Sequence, residues 1–500
     1  MDRMEAFNNR IMNPSTFSLS KYPDVTEVYG KLDKLINQPI RPVGRDKMQA
    51  YLEYFNTNCP KSKEMIHTAM NFIPGGVQHN LAFNYPFPLV FAKAEDAYLY
   101  DLDGNKYIDF IRAGGPAVLG SNNPVVRGKA IEVINECGPS TGLFHEYELK
   151  IAEFICRHIP SVEQFRMLGS GTEGVMASIR VARLATGKKK IIKVGGAYHG
   201  WSDQMVYGMR IPGTGRFDAH GIPRSCSKHT QEVFPNNIKA LERKLRWNRL
   251  RGGTAAVILE PVGPESGTRP VDFEYNAKVR GLCTKYGALL IFDEVVTAFR
   301  IGLSGAQGYY NVIPDLTVFG KVVAGGYPSA GGLGGKKEYM SYLAAGLQGA
   351  KKRAMVGGTM AANPLSSAAG YYTLLEIEKT DACTIAGRAG DRLTQGLQKL
   401  IGKYNLPFVA YNQGSICHLE TSATMFVKVN LKRPWTLPKA LKEIKARKHM
   451  MEEMGAAFMA EGIVTVAGSR MYTSSADTDE IIDDALARFE KVFQNIEPAN

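Results

Sequence analysis

Residues 288–321 read ALLIFDEVVTAFRIGLSGAQGYYNVIPDLTVFGK, and this stretch decides the fold class. It opens on the apolar run ALLIFDE, which contains Asp293, and it closes on LTVFGK, which ends at Lys321. Short apolar runs bounded by polar or turn residues are typical of strands buried in a parallel sheet. The two charged residues lie 28 positions apart, close to the length of one strand–helix–strand unit of about 30 residues. The stretch therefore predicts two parallel strands whose charged ends lie at the same edge of a sheet.

The same alternation of apolar runs and helical segments extends on the N-terminal side. The runs KIIKV (190–194) and AAVILE (255–260) have the length and composition of further strands, and the second ends at Glu260. The segment FEYNAKVRGLCTKY (273–286) has the spacing of a helix between two of these strands. The three charged strand ends are thus expected side by side at the carboxyl edge, where α/β sheets bind ligands.

The rest of the chain predicts a second, smaller α+β domain beside a large domain built on a mainly parallel sheet. Turn chemistry at Asp103-Gly104 indicates a hairpin of short strands, and the C-terminal stretch returns to helices. The predicted organisation is an N-terminal helical extension (1–65), a segment of the small domain (66–115), the large domain (116–375) and the C-terminal small domain (376–500).

Composition limits the function classes without selecting one. The 500 residues are 44% hydrophobic and 22% charged, which excludes a disordered chain, and the net charge of +13 admits nucleic acid, anionic membranes and anionic small molecules as partners. Seven scattered cysteines without a CxxC pair indicate neither a disulfide framework nor a zinc site, and they favour the cytoplasm. No apolar stretch has the length of a membrane span or of a signal peptide, so we expect a soluble protein.

Asp293 and Lys321 together predict a pyridoxal phosphate enzyme. A lysine amine forms a Schiff base with the aldehyde of that cofactor, and a carboxylate keeps its pyridine nitrogen protonated so that the ring accepts electrons. The alternative for either residue alone is an ordinary charged strand terminus. Three charged ends in succession, with Glu260 the third, favour a site.

The segment GSGTEG (169–174) opens directly into a helical stretch and predicts the site of the cofactor phosphate. Backbone N–H groups and hydroxyls of Ser170, Gly171 and Thr172 at a helix N-terminus suit a dianion. The same letters fit the dinucleotide pattern GxGxxG, but that interpretation needs a preceding apolar strand and an acid about 20 residues further on, and neither is evident. A purely structural glycine turn is the remaining alternative.

The loop after the strand KIIKV places Tyr198 and His199 at the same predicted sheet edge. Tyr198 in GGAYHGW can stack on a cofactor ring, although an aromatic residue in a loop more commonly covers the core. His199 can act as a ligand or base, but a single loop histidine is more commonly structural.

In combination these motifs resemble the class III aminotransferases, which have the aspartate aminotransferase fold (fold type I), and most closely the glutamate-1-semialdehyde aminomutase branch. The resemblance runs from IPGGV (73–77) to YTSSADTDEIID (472–483) and rests on YLYDLDGNKYIDF, GSGTEG, AYHG, ILEPVGPESG, IFDEVVTAFR, FGKVVAGGYP and GGTMAANPL. It implies pyridoxal 5′-phosphate as the cofactor and a homodimer with shared active sites.

The resemblance also implies roles for individual residues. Lys321 matches the Schiff-base lysine, and Asp293 matches the partner of the pyridine nitrogen. The remaining implied contacts of the cofactor are with the ring faces (Val295 and Tyr198), with the phosphate (Ser170, Gly171 and Thr172) and with the phosphate of the neighbouring subunit (Thr359).

Two departures from the aminomutase pattern bear on the substrate. Ala82 stands where that branch has a carboxylate-binding arginine, and Gly114 stands where it has a tryptophan. Glu265 matches a glutamate of ω-aminotransferases that pairs with a carboxylate-binding arginine, for which Arg470 is our choice. We expect Arg470 to bind the carboxylate of an amino or oxo acid, with a bracing role in the small domain as the alternative.

The leading interpretation is a transaminase that moves an amino group between an amino acid or amine and a 2-oxo acid. An intramolecular aminomutase and an amino-acid racemase or epimerase are alternatives, because the same lysine, aspartate and phosphate site serve all three chemistries. Nucleic-acid binding through KALERKLRWNRLR (239–251) or LKEIKARK (441–448) is disfavoured, since both segments have the spacing of solvated helix faces. We expect no nucleic-acid and no membrane partner, and no metal.

Overall fold

The computed structural model describes residues 17–82, 84–138, 142–346, 352–429 and 434–498. They divide into two units. The first is built mainly by residues 124–384, and the second by residues 19–123, 385–428 and 435–498.

The elements are numbered in chain order. The strands are β1 Phe91–Glu95, β2 Tyr98–Asp101, β3 Lys106–Asp109, β4 Gln164–Leu168, β5 Lys190–Val194, β6 Thr230–Val233, β7 Thr254–Leu259, β8 Leu289–Asp293, β9 Leu316–Gly320, β10 Gly331–Gly335, β11 Val409–Gln413, β12 Ile416–Glu420, β13 Ile463–Val464 and β14 Arg470–Tyr472. The α-helices are α1 Val25–Ile36, α2 Arg45–Asn58, α3 Pro60–Ala69, α4 Pro124–Glu136, α5 Glu146–His158, α6 Gly171–Thr186, α7 Arg224–Ser227, α8 Ile238–Arg249, α9 Tyr275–Tyr286, α10 Gly305–Tyr310, α11 Lys337–Met340, α12 Pro364–Thr380, α13 Ala382–Lys403, α14 Leu437–Ala460 and α15 Asp479–Phe493. A short 3-10 helix follows β9 at Lys321–Ala324.

The described residues of the first unit form a seven-stranded sheet with the order β4-β10-β9-β8-β7-β5-β6. The pairs from β9 to β6 are parallel, and β10 is antiparallel to both of its neighbours. Every residue of β7, β8 and β9 is buried, which explains why each has a continuous apolar sequence. The predicted α/β class is confirmed, and so are the four predicted strands.

Helix ends in this unit follow local sequence signals. The α9 helix ends at Gly287, whose φ of 60° is left-handed, as expected for a C-cap glycine. The α6 helix begins after Ser170, whose side chain accepts a hydrogen bond from the backbone N–H of Glu173, and it ends at Gly187 with φ of 68°. The glycine-rich turn therefore leads directly into a 16-residue helix, as predicted.

The second unit contains two smaller sheets, with the orders β1-β2-β3-β13 and β11-β12-β14. Tyr107, Phe458 and Phe489 are fully buried in its core, together with Phe55 of the N-terminal helix α2. The predicted C-terminal helix is present as α15, with Thr478 accepting a hydrogen bond from the N–H of Ile481.

Three sequence-based expectations differ from the structure. A strand, β4, does precede GSGTEG; its sequence QFRML is not a continuous apolar run, because only its last two residues are buried. Residues 19–65 group with the second unit because Met48, Tyr51 and Phe55 enter its core. The unit boundaries lie near residues 123 and 384, where α4 begins and after α12 ends, rather than at 115 and 375.

None of the seven cysteines, all of which lie among the described residues, forms a disulfide. No helix among the described residues is long and apolar enough to span a membrane, and within the same residues no cluster of His, Cys, Asp and Glu side chains is arranged to hold a metal ion.

Candidate active site

The predicted site residues of the first unit follow one another along the carboxyl edge of the large sheet. Asp293 ends β8, Lys321 follows β9 on one side, and Glu260 follows β7 on the other. Tyr198 lies four residues beyond β5, the next strand of the sheet. The prediction that these charged ends share one sheet edge is confirmed.

Asp293 is buried, with 5% of its surface exposed, and its carboxylate has two protein donors. The Nδ1–H of His199 donates to Oδ2 at 2.7 Å, and the backbone N–H of Val295 donates to Oδ1 at 3.2 Å. His199 is itself 1% exposed, and burial lowers the pKa of its imidazole despite the hydrogen bond to Asp293. A neutral His199 therefore donates to an aspartate held in fixed orientation at the base of the edge.

The second nitrogen of His199, Nε2, is buried and has no hydrogen-bond partner among the described residues. With Nδ1 protonated toward Asp293, Nε2 of the neutral ring is an acceptor. The sequence favoured a structural role for this histidine. The structure instead places it in direct contact with the predicted cofactor-binding aspartate, a placement that only the order of strands β5, β7 and β8 could have indicated.

Glu260 organises two loops at the edge. Its Oε1 accepts hydrogen bonds from the backbone N–H of Tyr198 at 2.9 Å and of Glu265 at 2.8 Å. Its Oε2 accepts from the backbone N–H and from the hydroxyl of Ser266. Burial, followed by the charge of Asp293, raises the pKa of Glu260 to about 7 despite these donors. Glu260 thus fixes the backbone that carries Tyr198, a residue that is 45% exposed.

Lys321 begins the 3-10 helix after β9 in a left-handed conformation, with φ of 50°. A lysine in this region is uncommon and is characteristic of functional sites. The preceding residue, Gly320, lies so close to Val295 that a Cβ atom there would be 2.8 Å from Cγ1 of the valine. This close approach places the start of the Lys321 turn against Val295, two residues after the end of β8.

The phosphate side of the site is formed by the N-terminus of α6. A Cβ atom at Gly171 would lie 2.8 Å from Cγ2 of Val295, so the valine covers this glycine as well. A Cβ atom at Gly200, two residues after Tyr198, would overlap Thr172. The structure therefore brings the predicted phosphate residues together with Val295 and with the loop that carries Tyr198 and His199.

These features fit pyridoxal phosphate. A helix N-terminus with two hydroxyl side chains matches a phosphate dianion, an aspartate at the sheet edge matches a protonated ring nitrogen, and a lysine directly after the adjacent strand matches an aldehyde. The three glycines allow Val295 and Thr172 to approach the backbone more closely than any side chain at these positions would permit.

Three further predicted residues do not directly follow a strand of this edge. Thr359 is exposed, in the segment before α12, and its neighbour Gly358 approaches the Glu173 carboxylate of the same chain. Glu265 is half-buried with a left-handed φ of 46°. Arg470 lies in the second unit on β14, opposite His418 of β12, with its guanidinium 5.7 Å from the ring centre of Tyr472. The roles of these three stay predictions.

Comparison with known proteins identifies the family. The sequence profile of the family described as Aminotransferase class-III matches residues 82–493. This chain is a class-III aminotransferase family member.

Among curated relatives, this class-III protein is 39% identical over 362 residues to glutamate-1-semialdehyde 2,1-aminomutase 2 of Lachnoclostridium phytofermentans, a match that covers 71% of this chain and 83% of the relative. Among solved structures, it matches an omega-transaminase from Sphaerobacter thermophilus with a TM-score of 0.76 and 25% identity, over 88% of this chain and 99% of the other. It also matches a glutamate-1-semialdehyde aminomutase from Pseudomonas aeruginosa in complex with PMP, with a TM-score of 0.77 and 21% identity, over 94% and 99% of the two chains.

The class-III membership confirms fold type I and pyridoxal 5′-phosphate as the cofactor. It shows a family of enzymes that includes both aminomutases and transaminases.

Proposed function

We propose that this chain moves an amino group within a single substrate molecule, as an aminomutase of the glutamate-1-semialdehyde type. The observation that carries the proposal is the 39% identity over 362 residues to a protein of that name. In such an isomerisation carbon 1 gains the amino group that carbon 2 loses, and carbon 2 becomes the carbonyl carbon. The reaction consumes no second substrate.

The residues of the sheet edge have separate tasks in this chemistry. When bound, pyridoxal phosphate supplies an aldehyde that condenses with amines and a ring that accepts electrons. The Asp293 carboxylate holds the proton of the ring nitrogen, and His199 holds Asp293 in position. Lys321 would hold the aldehyde carbon through its amine, and the same amine, when free, would move a proton at the substrate carbon next to the nitrogen.

The remaining assignments concern binding. Ser170, Gly171 and Thr172 hold the cofactor phosphate at the start of α6, and Tyr198 and Val295 lie on the two ring faces. We further propose a homodimer in which Thr359 reaches the phosphate of the neighbouring subunit. The cytoplasm stays the predicted compartment, based on the scattered cysteines.

A transaminase acting on an amine or amino acid and a 2-oxo acid is the second candidate. Ala82 and Gly114 support it, because they replace the arginine and tryptophan of the aminomutase pattern with small neutral residues. A site without these side chains lacks the cation that would bind a substrate carboxylate, and it has more space for a different substrate. In this version Arg470 binds the carboxylate and Glu265 pairs with it.

One experiment separates the two candidates. The holoenzyme is given glutamate-1-semialdehyde alone, and in parallel a panel of donor amines with pyruvate or 2-oxoglutarate. An aminomutase converts many equivalents of glutamate-1-semialdehyde to its amino-ketone isomer without an acceptor, whereas a transaminase releases more than one equivalent of carbonyl product per enzyme only when an acceptor is present. Inactivity of glutamate-1-semialdehyde together with turnover in the panel would overturn the first proposal in favour of the second. Lys321→Ala is the control, since it should be inactive in both assays.

A further inference from the structure

A fully buried lysine lies directly beneath the active-site edge and has no part in the chemistry described so far. Lys193 is the fourth residue of β5, and 0% of its surface is exposed. An ammonium group removed from water is strongly destabilising unless its protons are hydrogen-bonded and its charge is balanced. The contacts of Lys193 meet both requirements.

The hydrogen bonds of Lys193 go to the loop that follows its own strand. Nζ donates to the backbone carbonyl of Ala197 at 2.9 Å and to that of Met205 at 3.4 Å. Between these two carbonyls lie Tyr198, bonded through its N–H to Glu260, and His199, bonded to Asp293. One side chain therefore connects the two ends of the 197–205 loop, which carries both residues.

Three carboxylates and one imidazole interact electrostatically with this ammonium group. Glu232 lies opposite Lys193 on β6, Glu260 follows β7, and Asp293 ends β8. Burial lowers the pKa of Lys193 to about 8, while these three charges act in the opposite direction, so the amine is mainly protonated at pH 7. Its positive charge in turn contributes to the lowered pKa of His199.

Glu232 has a complementary contact pattern. Its carboxylate accepts hydrogen bonds from the backbone N–H of Gly213 at 3.1 Å and of Gly215 at 3.0 Å. Adjacent residues of β5 and β6 thus use a donor and an acceptor to hold two consecutive loops. Lys193 acts on the loop with the site residues, and Glu232 acts on the loop beyond it.

We propose that Lys193 is a positioning residue of the active site. Its ammonium group fixes both ends of the 197–205 loop, and this sets Tyr198 over the sheet edge and His199 against Asp293. Its charge also partly balances the buried carboxylates of Glu260 and Asp293. The proposal rests on the proposed roles of Tyr198 and Asp293 and is independent of which substrate the enzyme uses.

The test compares Lys193→Met, which keeps the length but removes charge and donors, with Lys190→Met on the same strand. Lys190 is only half-buried and bonds to the carbonyl of Arg251, away from the site. Three readouts are measured without substrate: the dissociation constant of pyridoxal phosphate, the rate of chymotryptic cleavage after Tyr198 or Trp201 in the apoenzyme, and the pH midpoint of the visible absorption of the bound cofactor.

For Lys193→Met we expect at least about tenfold weaker cofactor binding and at least about fivefold faster loop cleavage, because the loop has lost its two anchors. The absorption midpoint should rise by about half a pH unit or more, because removing a cation favours protonation of the groups around it. Lys190→Met should match the wild type in all three. Wild-type values in Lys193→Met would overturn the proposal.

A second variant covers the case in which Lys193→Met does not fold because Glu232 is left without its counter-charge. Lys193→Met/Glu232→Gln removes both charges and should fold, with the Lys193 effect on cofactor binding retained. Failure of both variants to fold would make Lys193 a residue of the fold alone and would equally overturn the proposal. A wild-type protein that binds cofactor but turns over no tested substrate would count against the proposed function and leave these readouts unchanged.

Discussion

The Nδ1–H of His199 donates a 2.7 Å hydrogen bond to Oδ2 of Asp293, and both side chains are buried at the carboxyl edge of the large sheet. The contact joins the loop after β5 to the end of β8, two strands away in the sheet. Asp293 thereby keeps a fixed orientation toward the space above the sheet edge.

Replacing His199 by Phe keeps a buried ring but removes this donor. A hydrogen bond to a charged group contributes about 1.5–3 kcal/mol, so we expect roughly 10- to 100-fold weaker binding of pyridoxal phosphate. Equilibrium dialysis of the apoprotein against the cofactor measures the change. His199→Asn, which retains an N–H donor, should lose less, and wild-type affinity in His199→Phe would show that the contact has no bearing on the cofactor.

The pKa of Glu260 predicts a dependence of stability on pH. Its value of about 7 in the folded protein exceeds the ordinary 4.5, so between these pH values the folded state holds a proton that the unfolded state has lost. Folding stability should therefore fall as pH rises through this window, by about 3 kcal/mol at 1.36 kcal/mol per pKa unit. It should level off above pH 7.

Urea unfolding of wild type and of Glu260→Gln at several pH values isolates this contribution. The variant is expected to be less stable throughout, since an amide cannot accept all the hydrogen bonds of the carboxylate. Its deficit should shrink as pH rises from about 5 to 7. A constant deficit across that range would contradict the raised pKa.

The glycines around Val295 predict a steric rescue. Gly171→Ala should weaken cofactor binding at least about tenfold, because the new methyl group would lie 2.8 Å from Cγ2 of Val295. In Gly171→Ala/Val295→Ala the clash is removed, and part of the affinity should return. Gly281→Ala on α9 is the matched control, since nothing lies within 4 Å of its added atom. Weaker binding in the double variant than in Gly171→Ala would rule out the steric cause.

The assignment of Arg470 predicts a selective loss. Arg470→Ala should lower kcat/KM for substrates with a carboxylate by about 10-fold or more, because one bidentate charge-assisted contact is lost, and should affect neutral amines much less. Arg392→Ala serves as the control, since Arg392 forms an exposed ion pair with Asp483 in the same unit. Equal losses for both substrate classes would assign Arg470 a bracing role instead.

The edge of the large sheet could be predicted from sequence because its strands have unbroken apolar runs that end in charged residues. Asp293 and Lys321 can be singled out as site candidates in this way. The hydrogen-bond partners of the site residues could not be predicted, since they depend on which strands are neighbours in the sheet. Neither the contact of His199 with Asp293 nor the four hydrogen bonds that Glu260 accepts has a local sequence signal.

The burial and the contacts of Lys193 could not be predicted for the same reason. In the run KIIKV it has the appearance of a polar residue on the open face of a strand, yet the loop that returns over β5 buries it completely. The edge strand β4 gives a weak sequence signal because QFRML is short and three of its five residues are exposed or half-buried.

The location of the net charge of +13 was also beyond sequence reasoning. Residues 183–190, 224–229 and 243–251 contain four, two and five lysine or arginine residues and no acidic residue. The first segment ends at the first residue of β5, the second ends directly before β6, and the third ends close to the start of β7. All three therefore lie at the amino ends of these parallel strands. An anionic cofactor at the carboxyl edge therefore does not account for this part of the charge.

The central claim is that Lys321 is the lysine that bonds to the cofactor. Reduction of the holoenzyme with borohydride, followed by protease digestion and mass spectrometry, tests it directly. We predict that the mass of one reduced cofactor is found on the peptide that contains Lys321 and is absent from Lys321→Ala. The same mass on a peptide that contains Lys193, or on no lysine peptide at all, would contradict the assignment.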